Sequence, residues 1–268
     1  MPHNEILVAE DNEANRLLAV KQLERLGYPA RAVADGNEAV EAATAHPFAL
    51  VLMDCNMPQL DGFGATRAIR EAEEGTGRHT IIVAMTAGAM EDDRQACLEA
   101  GMDDYLCKPV MLADLQRMFG RWLEGAEARD EPPPAPGLRS VRPPPRTSLD
   151  PIDQGAFDRF RADAGGDEFA ATFVRIFLRE LDGRLNGLRR ARADAEGGAL
   201  RGLAHTLKST SATIGARRLA ELCRRLEGEA LDPSGPKAGM LVEDVEEEAG
   251  AVREDLGRRG FGPADEVA

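Results

Sequence analysis

Four short apolar runs in this chain each stop at a side chain able to do chemistry. Ile6–Ala9 runs into Glu10 and Asp11, Phe48–Met53 into Asp54, Ile81–Met85 into Thr86, and Tyr105–Cys107 into Lys108, which is followed by Pro109. Like charges ~4 Å apart repel by about 4 kcal/mol at an effective dielectric near 20, so a fold that gathers Glu10, Asp11 and Asp54 needs a cation among them. Oxygen ligands around an open position suit Mg²⁺, which keeps several waters and accepts a phosphate oxygen. A hydroxyl at Thr86 and a compact ammonium at Lys108 could then stabilise charge on a transferring phosphoryl group. Lysine is rare here: of 33 basic residues only Lys21, Lys108, Lys208 and Lys237 are lysine, so one at a strand end carries more meaning than usual.

A second candidate is His205. At 100° per residue, Leu200, Leu203, Leu207, Ser211 and Ile214 share an arc of about 80° that would face a core, and His205 points roughly opposite to it. Arg201, Lys208, Ser209 and Ala212 fall within about 60° of the histidine, so the spacing predicts a solvent-exposed imidazole beside cations and small residues. His3, His46 and His79 sit in terminal or loop contexts and are expected to be exposed bystanders.

The elements that must position these groups come from periodicity. Ile6–Ala9, Ala30–Ala34, Phe48–Met53, Ile81–Met85 and Tyr105–Cys107 read as strands. Each is followed by an amphipathic helical stretch: one begins after Asn12, and the others cover 38–45, a region around 65–72, about 90–100, and 112–123. Asn12 can cap the first of these and Gly27 can end it. The uninterrupted apolar stretch of Phe48–Met53 marks a strand buried on both faces, and Pro58 with the Asp61–Gly62 pair marks a turn after it. Five strands alternating with five helices argue for an α/β unit with a parallel sheet. In the flavodoxin-like order 2-1-3-4-5 the first and third strands are neighbours, so Glu10, Asp11 and Asp54 converge at the carboxyl edge where ligands bind.

Residues 125–151 break the pattern. They hold eight of the sixteen prolines, including two Pro-Pro-Pro runs, and predict a flexible polyproline-like linker that at ~3.1 Å per residue could span roughly 80 Å. From 152 to 260 every period is helical. A short helix follows Asp153, a long one opens at Asp167, and three more cover about 200–214, 219–231 and 240–256, which reads as an all-α helical bundle. The expected organisation is therefore 1–124, a linker at 125–151, a bundle at 152–260 and a tail at 261–268.

Composition narrows the function. With 43% hydrophobic and 30% charged residues and no apolar run near the ~18 residues a span needs, the chain reads as ordinary globular protein without a membrane segment or signal peptide. The net charge is −14, and neither half is basic: 11 basic against 21 acidic side chains in residues 1–124, and 18 against 22 in 152–268. Direct nucleic-acid binding, which draws its affinity from Lys and Arg at phosphates, is not expected. Cys55, Cys97, Cys107 and Cys223 show no paired spacing, which favours reduced thiols in the cytoplasm over a zinc site.

On the acidic pair Glu10–Asp11, the run Asp54–Pro58, Gly62, the Thr86–Ala87 pair and Lys108–Pro109, residues 1–124 resemble a receiver domain of two-component signalling. The resemblance implies that Asp54 accepts a phosphoryl group as an acyl phosphate. It implies Mg²⁺ held by Asp11, Asp54 and the Asn56 backbone carbonyl with help from Glu10. Lys108 would bind the phosphate, the Lys108–Pro109 peptide would be cis, and Thr86 and Tyr105 would respond to phosphorylation.

Residues 204–227, AHTLKSTSATIGARRLAELCRRLE, are similar to the histidine phosphotransfer (HPt) module, with its AHxLK motif, small residues, an Ile-Gly pair and a second helix patterned in Leu and Glu. By that resemblance His205 carries phosphohistidine, Lys208 steadies it, and Arg201 and Ser209 complete its environment, with Ser209 standing where the family often has glycine. The expectation is a phosphorelay protein that exchanges phosphate between Asp54 and His205. A histidine kinase and a downstream response regulator would be its partners. The alternative is a phosphorylation-controlled switch in which the receiver gates the bundle without internal transfer. A metal hydrolase built on Asp54 lacks a second acidic partner in its loop. No ATP-binding glycine boxes are present, so the chain is expected to be a free-standing relay protein or the C-terminal part of a hybrid histidine kinase.

Overall fold

The sheet forms because two strands in its middle can be apolar on both faces. β1 (Ile6–Ala9) and β3 (Leu50–Asp54) are wholly buried, and β4 (Ile82–Thr86) matches them. Together with β2 (Ala30–Val33) and β5 (Asp104–Cys107) they make one five-stranded parallel sheet in the order β2-β1-β3-β4-β5. β1 pairs with β3 from Ile6 opposite Leu50 to Ala9 opposite Met53, so Glu10 and Asp54 leave the sheet side by side. The computed structural model describes residues 4–86, 91–123 and 150–261, in two compact units, Met1–Thr147 and Ser148–Ala268. His3, Ala87, residue 124, most of the expected linker (125–149) and the last seven residues lie outside the described residues.

Alternation along each strand sends side chains to two cores. Leu7, Ala9, Val51 and Met53 pack with Ala39, Ala42 and Ala43 of α2 (Gly36–Ala45), Ala65 and Ile69 of α3 (Gly62–Glu73) and Cys97 of α4 (Glu91–Glu99). Ile6, Val8, Leu50 and Leu52 pack on the other face with Ala19 and Leu23 of α1 (Glu13–Arg25) and with Leu115, Met118 and Phe119 of α5 (Leu112–Trp122). The expected Asn12 cap is in place, its Oδ1 accepting from the Asn15 N–H at 2.9 Å. α2 starts two residues before the expected Glu38 because Asp35 caps it, accepting from the N–H groups of Asn37 and Glu38 at 2.8 and 3.0 Å. β3 and β4 each run one residue further than periodicity suggests, so Asp54 and Thr86 are the last residues of their strands.

The second unit is helical: α6 (Gln154–Asp163), α7 (Asp167–Ala193), α8 (Gly197–Thr213), α9 (Arg217–Gly228) and α10 (Pro236–Leu256). α7 buries Phe173, Phe177, Leu181 and Leu188 at steps of three and four, the apolar stripe legible in the sequence. α9 stops at Gly228, short of the expected Leu231, whose side chain is exposed. α10 begins before the expected Met240 because Pro236 is well suited to a first helical position. Phe261, expected in the tail, instead stacks edge-on with Phe157 at 5.5 Å between centroids, so the bundle's packing runs past residue 260. No helix among the described residues is long and apolar enough to cross a membrane.

Candidate functional site

At the carboxyl edge of the sheet, Glu10, Asp11 and Asp54 each present an oxygen within 4.8 Å of the others. Lys108, directly after β5, reaches across β4 and places Nζ 2.6 Å from both Glu10 Oε2 and Asp54 Oδ2, with only 5% of its side chain exposed. The Asn56 N–H donates to Asp54 Oδ1 at 3.1 Å, so the turn after β3 folds back on the carboxylate. Gly62 permits that turn: a Cβ there would lie 2.1 Å from the Asp54 carbonyl oxygen. Thr86 is buried at the end of β4, and its carbonyl accepts the Lys108 N–H at 2.7 Å. The Lys108–Pro109 peptide is cis. Tyr105 is half-buried and packs against the core facing α2, α3 and α4.

Burial dominates the electrostatics. It pushes Asp54 up to about 7, with Lys108 pulling the other way and the Glu10 charge adding to the rise. Burial works against the Lys108 ammonium too, but the Asp54 and Glu10 carboxylates outweigh it and hold its pKa above the ordinary lysine range. Three carboxylates converge, and two of them share one ammonium. That donor set fits a divalent cation of the Mg²⁺ type, because it matches the ion's ligand preference and leaves carboxylate charge for it to neutralise.

The helix α1 contributes groups that periodicity did not single out. Asn15 Nδ2 donates to Glu10 Oε1 at 3.2 Å, and Arg16 Nη1 donates to the backbone carbonyls of Glu10 and Asp11 at 2.7 and 3.1 Å. Gln22, also on α1, donates through Nε2 to the Val110 carbonyl at 3.0 Å and so pins the loop that carries Lys108. Their only sequence signal was position, one to three turns after an acidic pair.

In the bundle the histidine differs from expectation. His205 does not stand in solvent: 13% of its side chain is exposed, and Nδ1 lies 2.8 Å from Glu227 Oε1 on α9. The other oxygen of the same carboxylate, Oε2, lies 2.5 Å from Lys208 Nζ. Burial would raise the Glu227 carboxyl, but the hydrogen bonds and charges of His205 and Lys208 carry it below the usual carboxylate range. Ser209, expected beside an open surface, is buried, and its carbonyl accepts the Thr213 hydroxyl at 3.1 Å, whereas Arg201 is exposed one turn before His205. The projection failed because α8 packs closely on both α7 and α9, so its buried surface is wider than one apolar arc. His46 and His79 are exposed, but His79 is no bystander: Nε2 lies 2.6 Å from Asp103 Oδ1, whose other oxygen takes Arg70 Nη2 at 2.7 Å.

Comparison with known proteins identifies both units. The family model described as "Response regulator receiver domain" matches residues 6–119, and the one described as "Hpt domain" matches residues 172–256. Sensor histidine kinase GacS of Pseudomonas protegens is 34% identical over 248 residues, which is 92% of this chain and 26% of that protein. The chain thus spans about a quarter of that relative's length. Hybrid signal transduction protein dokA of Dictyostelium discoideum is 44% identical over 126 residues, 47% of this chain and 7% of its own. Among solved structures, the receiver domain of sensor histidine kinase PA1611 from Pseudomonas aeruginosa PAO1, crystallised with a magnesium ion in its active site cleft, is 46% identical. It covers 46% of this chain and 98% of its own, with a TM-score of 0.42.

Proposed function

The chain carries a receiver domain followed by an Hpt domain, the pairing of a two-component phosphorelay, and from that premise we propose that Asp54 and His205 exchange a phosphoryl group. The observation behind this reading is that one chain holds two candidate sites. One is a carboxylate bracketed by Lys108 and acidic neighbours, and the other is an imidazole whose Nδ1 is held by a carboxylate.

At the first site a histidine kinase supplies phosphohistidine. An Asp54 oxygen attacks phosphorus, the N–P bond of the donor breaks, and an acyl phosphate forms. Lys108 loses its contact to Asp54 Oδ2 and follows the new phosphoryl oxygens. Mg²⁺, held by Glu10, Asp11, Asp54 and the Asn56 carbonyl when bound, supplies charge neutralisation at those oxygens. Thr86, the last residue of β4, and Tyr105, inside β5, are the groups proposed to respond. At the second site Nδ1 faces Glu227, which leaves Nε2 for the attack. The acyl O–P bond breaks, the Asp54 carboxylate leaves, and the imidazolium keeps its Nδ1 proton against the Glu227 charge. Lys208 sits on the same carboxylate, within reach of phosphoryl oxygens. From His205 the group passes to, or comes from, a downstream response regulator. The kinase is either a separate protein or a preceding part of a longer hybrid kinase. A cytoplasmic setting, where thiols stay reduced, fits Cys55, Cys97, Cys107 and Cys223, none of which forms a disulfide among the described residues.

The test is incubation with a cognate histidine kinase, radiolabelled ATP and Mg²⁺, with acyl phosphate and phosphohistidine separated by their acid and alkali lability. Label is expected on both residues. Asp54→Asn should abolish labelling of His205; if His205 is labelled as before, the internal relay is refuted and the receiver acts as a switch. His205→Gln should leave Asp54 labelled and stop onward transfer.

A further inference from the structure

The geometry points to Arg16 as a positioning residue for the metal-binding acids, a role that rests on the proposed Mg²⁺ site and deepens it. The β1 ladder ends with Ala9 paired to Val33 and Met53, and only the Glu10 N–H reaches one step further, to the Val33 carbonyl at 3.2 Å. The carbonyls of Glu10 and Asp11 lie past the ladder, in a stretch where φ and ψ are no longer set by a neighbouring strand. Those two residues carry two of the three converging carboxylates, so a rotation of this backbone swings both ligands out of register.

Arg16 opposes that rotation. Arg16 Nη1 takes both carbonyls, at 2.7 and 3.1 Å, from the fourth residue of α1. The helix is itself anchored at the same turn, with the Asn12 side chain capping its N-terminus and the Arg16 N–H donating to the Asn12 carbonyl at 2.8 Å. Asn15, the preceding residue, holds the Glu10 carboxylate through Oε1 at 3.2 Å. α1 therefore grips the acidic strand end at backbone and side chain together. Partners that orient metal ligands commonly control affinity by 10- to 100-fold when removed.

This role has a signature that bare charge would not give. A guanidinium held on the backbone of two of the acids competes electrostatically with a divalent cation, so if Arg16 acted only as a charge, removing it would tighten Mg²⁺ binding. Positioning predicts the opposite sign.

The experiment is a titration of the intact chain with MgCl₂ alone, followed by the backbone amide resonances of Asp54 and Asn56. The rest of the spectrum reports the fold. Wild type is expected to saturate. Arg16→Met, similar in length but without charge or donor, is expected to need about tenfold more Mg²⁺ for half-saturation. Arg16→Lys, which keeps the charge on a shorter reach, should need two- to fivefold more and serves if the methionine variant loses its dispersed spectrum. Phosphorylation of Asp54 by phosphoramidate should show the same displacement in half-saturating Mg²⁺, with the rate at saturating Mg²⁺ within about twofold of wild type. Unchanged or tighter binding in both variants overturns the positioning role and leaves the proposed site standing. Absence of saturable Mg²⁺ binding in wild type overturns both.

Discussion

Replacing Glu227 by glutamine tests the histidine site most directly, because the substitution keeps the shape and removes one charge. In the wild type a single carboxylate serves two donors, His205 Nδ1 at 2.8 Å and Lys208 Nζ at 2.5 Å. A glutamine has one carbonyl oxygen and one NH₂ group, so it can accept from only one of them and must turn donors toward the other. The imidazole and carboxylate are 13% and 15% exposed, so solvent screens the pair only weakly. A hydrogen bond to an ionised partner contributes roughly 1.5–3 kcal/mol and a neutral one about half as much, so the imidazolium formed during transfer loses about 0.8–1.5 kcal/mol of stabilisation. At 1.36 kcal/mol per factor of ten, that slows transfer from Asp54 to His205 by about 4- to 12-fold. The assay is rapid-quench measurement of label moving from the alkali-labile acyl phosphate on Asp54 into acid-labile, alkali-stable phosphohistidine, with labelling of Asp54 as the internal control. Transfer at the wild-type rate in a folded Glu227→Gln protein would refute the assignment of Nδ1 to Glu227. The same carboxylate has a pH signature. Its pKa is lowered in the folded state, so its stabilising contribution is present above the unfolded value of ~4.3 and is lost as pH falls through the folded one. Glu227→Gln should therefore cost stability near neutrality and nothing at the acid end.

Asp54 predicts the opposite slope. Its folded pKa of about 7 stands above the ordinary 3.8, so the metal-free protein loses stability as pH rises through that interval. Urea denaturation in EDTA should find Asp54→Asn equal to wild type near pH 4 and more stable by up to about 4 kcal/mol at pH 8, with Mg²⁺ narrowing the gap. Lys108→Met leaves Glu10 and Asp54 facing each other without their ammonium, and should cost about 3–5 kcal/mol at pH 8 and abolish Asp54 labelling. Gly62→Ala puts a Cβ 2.1 Å from the Asp54 carbonyl oxygen, so the turn must move, and chemical denaturation should show a loss of at least about 2 kcal/mol together with slower Asp54 labelling.

How much of this was legible beforehand follows from what each feature depends on. The sheet and its acidic edge depend on local pattern: strands buried on both faces must be continuously apolar, as Ile6–Ala9 and Leu50–Met53 are, and the first polar residue after such a run necessarily sits at the rim. The scarcity of lysine then singled out Lys108 and Lys208; the first sits on the proposed acceptor Asp54 and the second on the carboxylate beside His205. Element boundaries slipped where a cap, Asp35, or a helix-starting proline, Pro236, lay outside the apolar periodicity. What the chain could not reveal in one dimension were the side chains that act across elements. Glu227 is 22 positions from His205 and meets it only because α8 and α9 pack side by side. Arg16 and Gln22 look like ordinary polar helix residues until α1 is laid beside the strand ends and loops they hold. A helical projection sees one helix in an imagined solvent, whereas a bundle wraps α8 from two sides and turns an apparently exposed histidine into a held one. Residue chemistry and spacing determined which groups could react; tertiary packing decided which neighbours orient them, because hydrogen-bond partners distant in sequence become adjacent only when the helices and strands are docked.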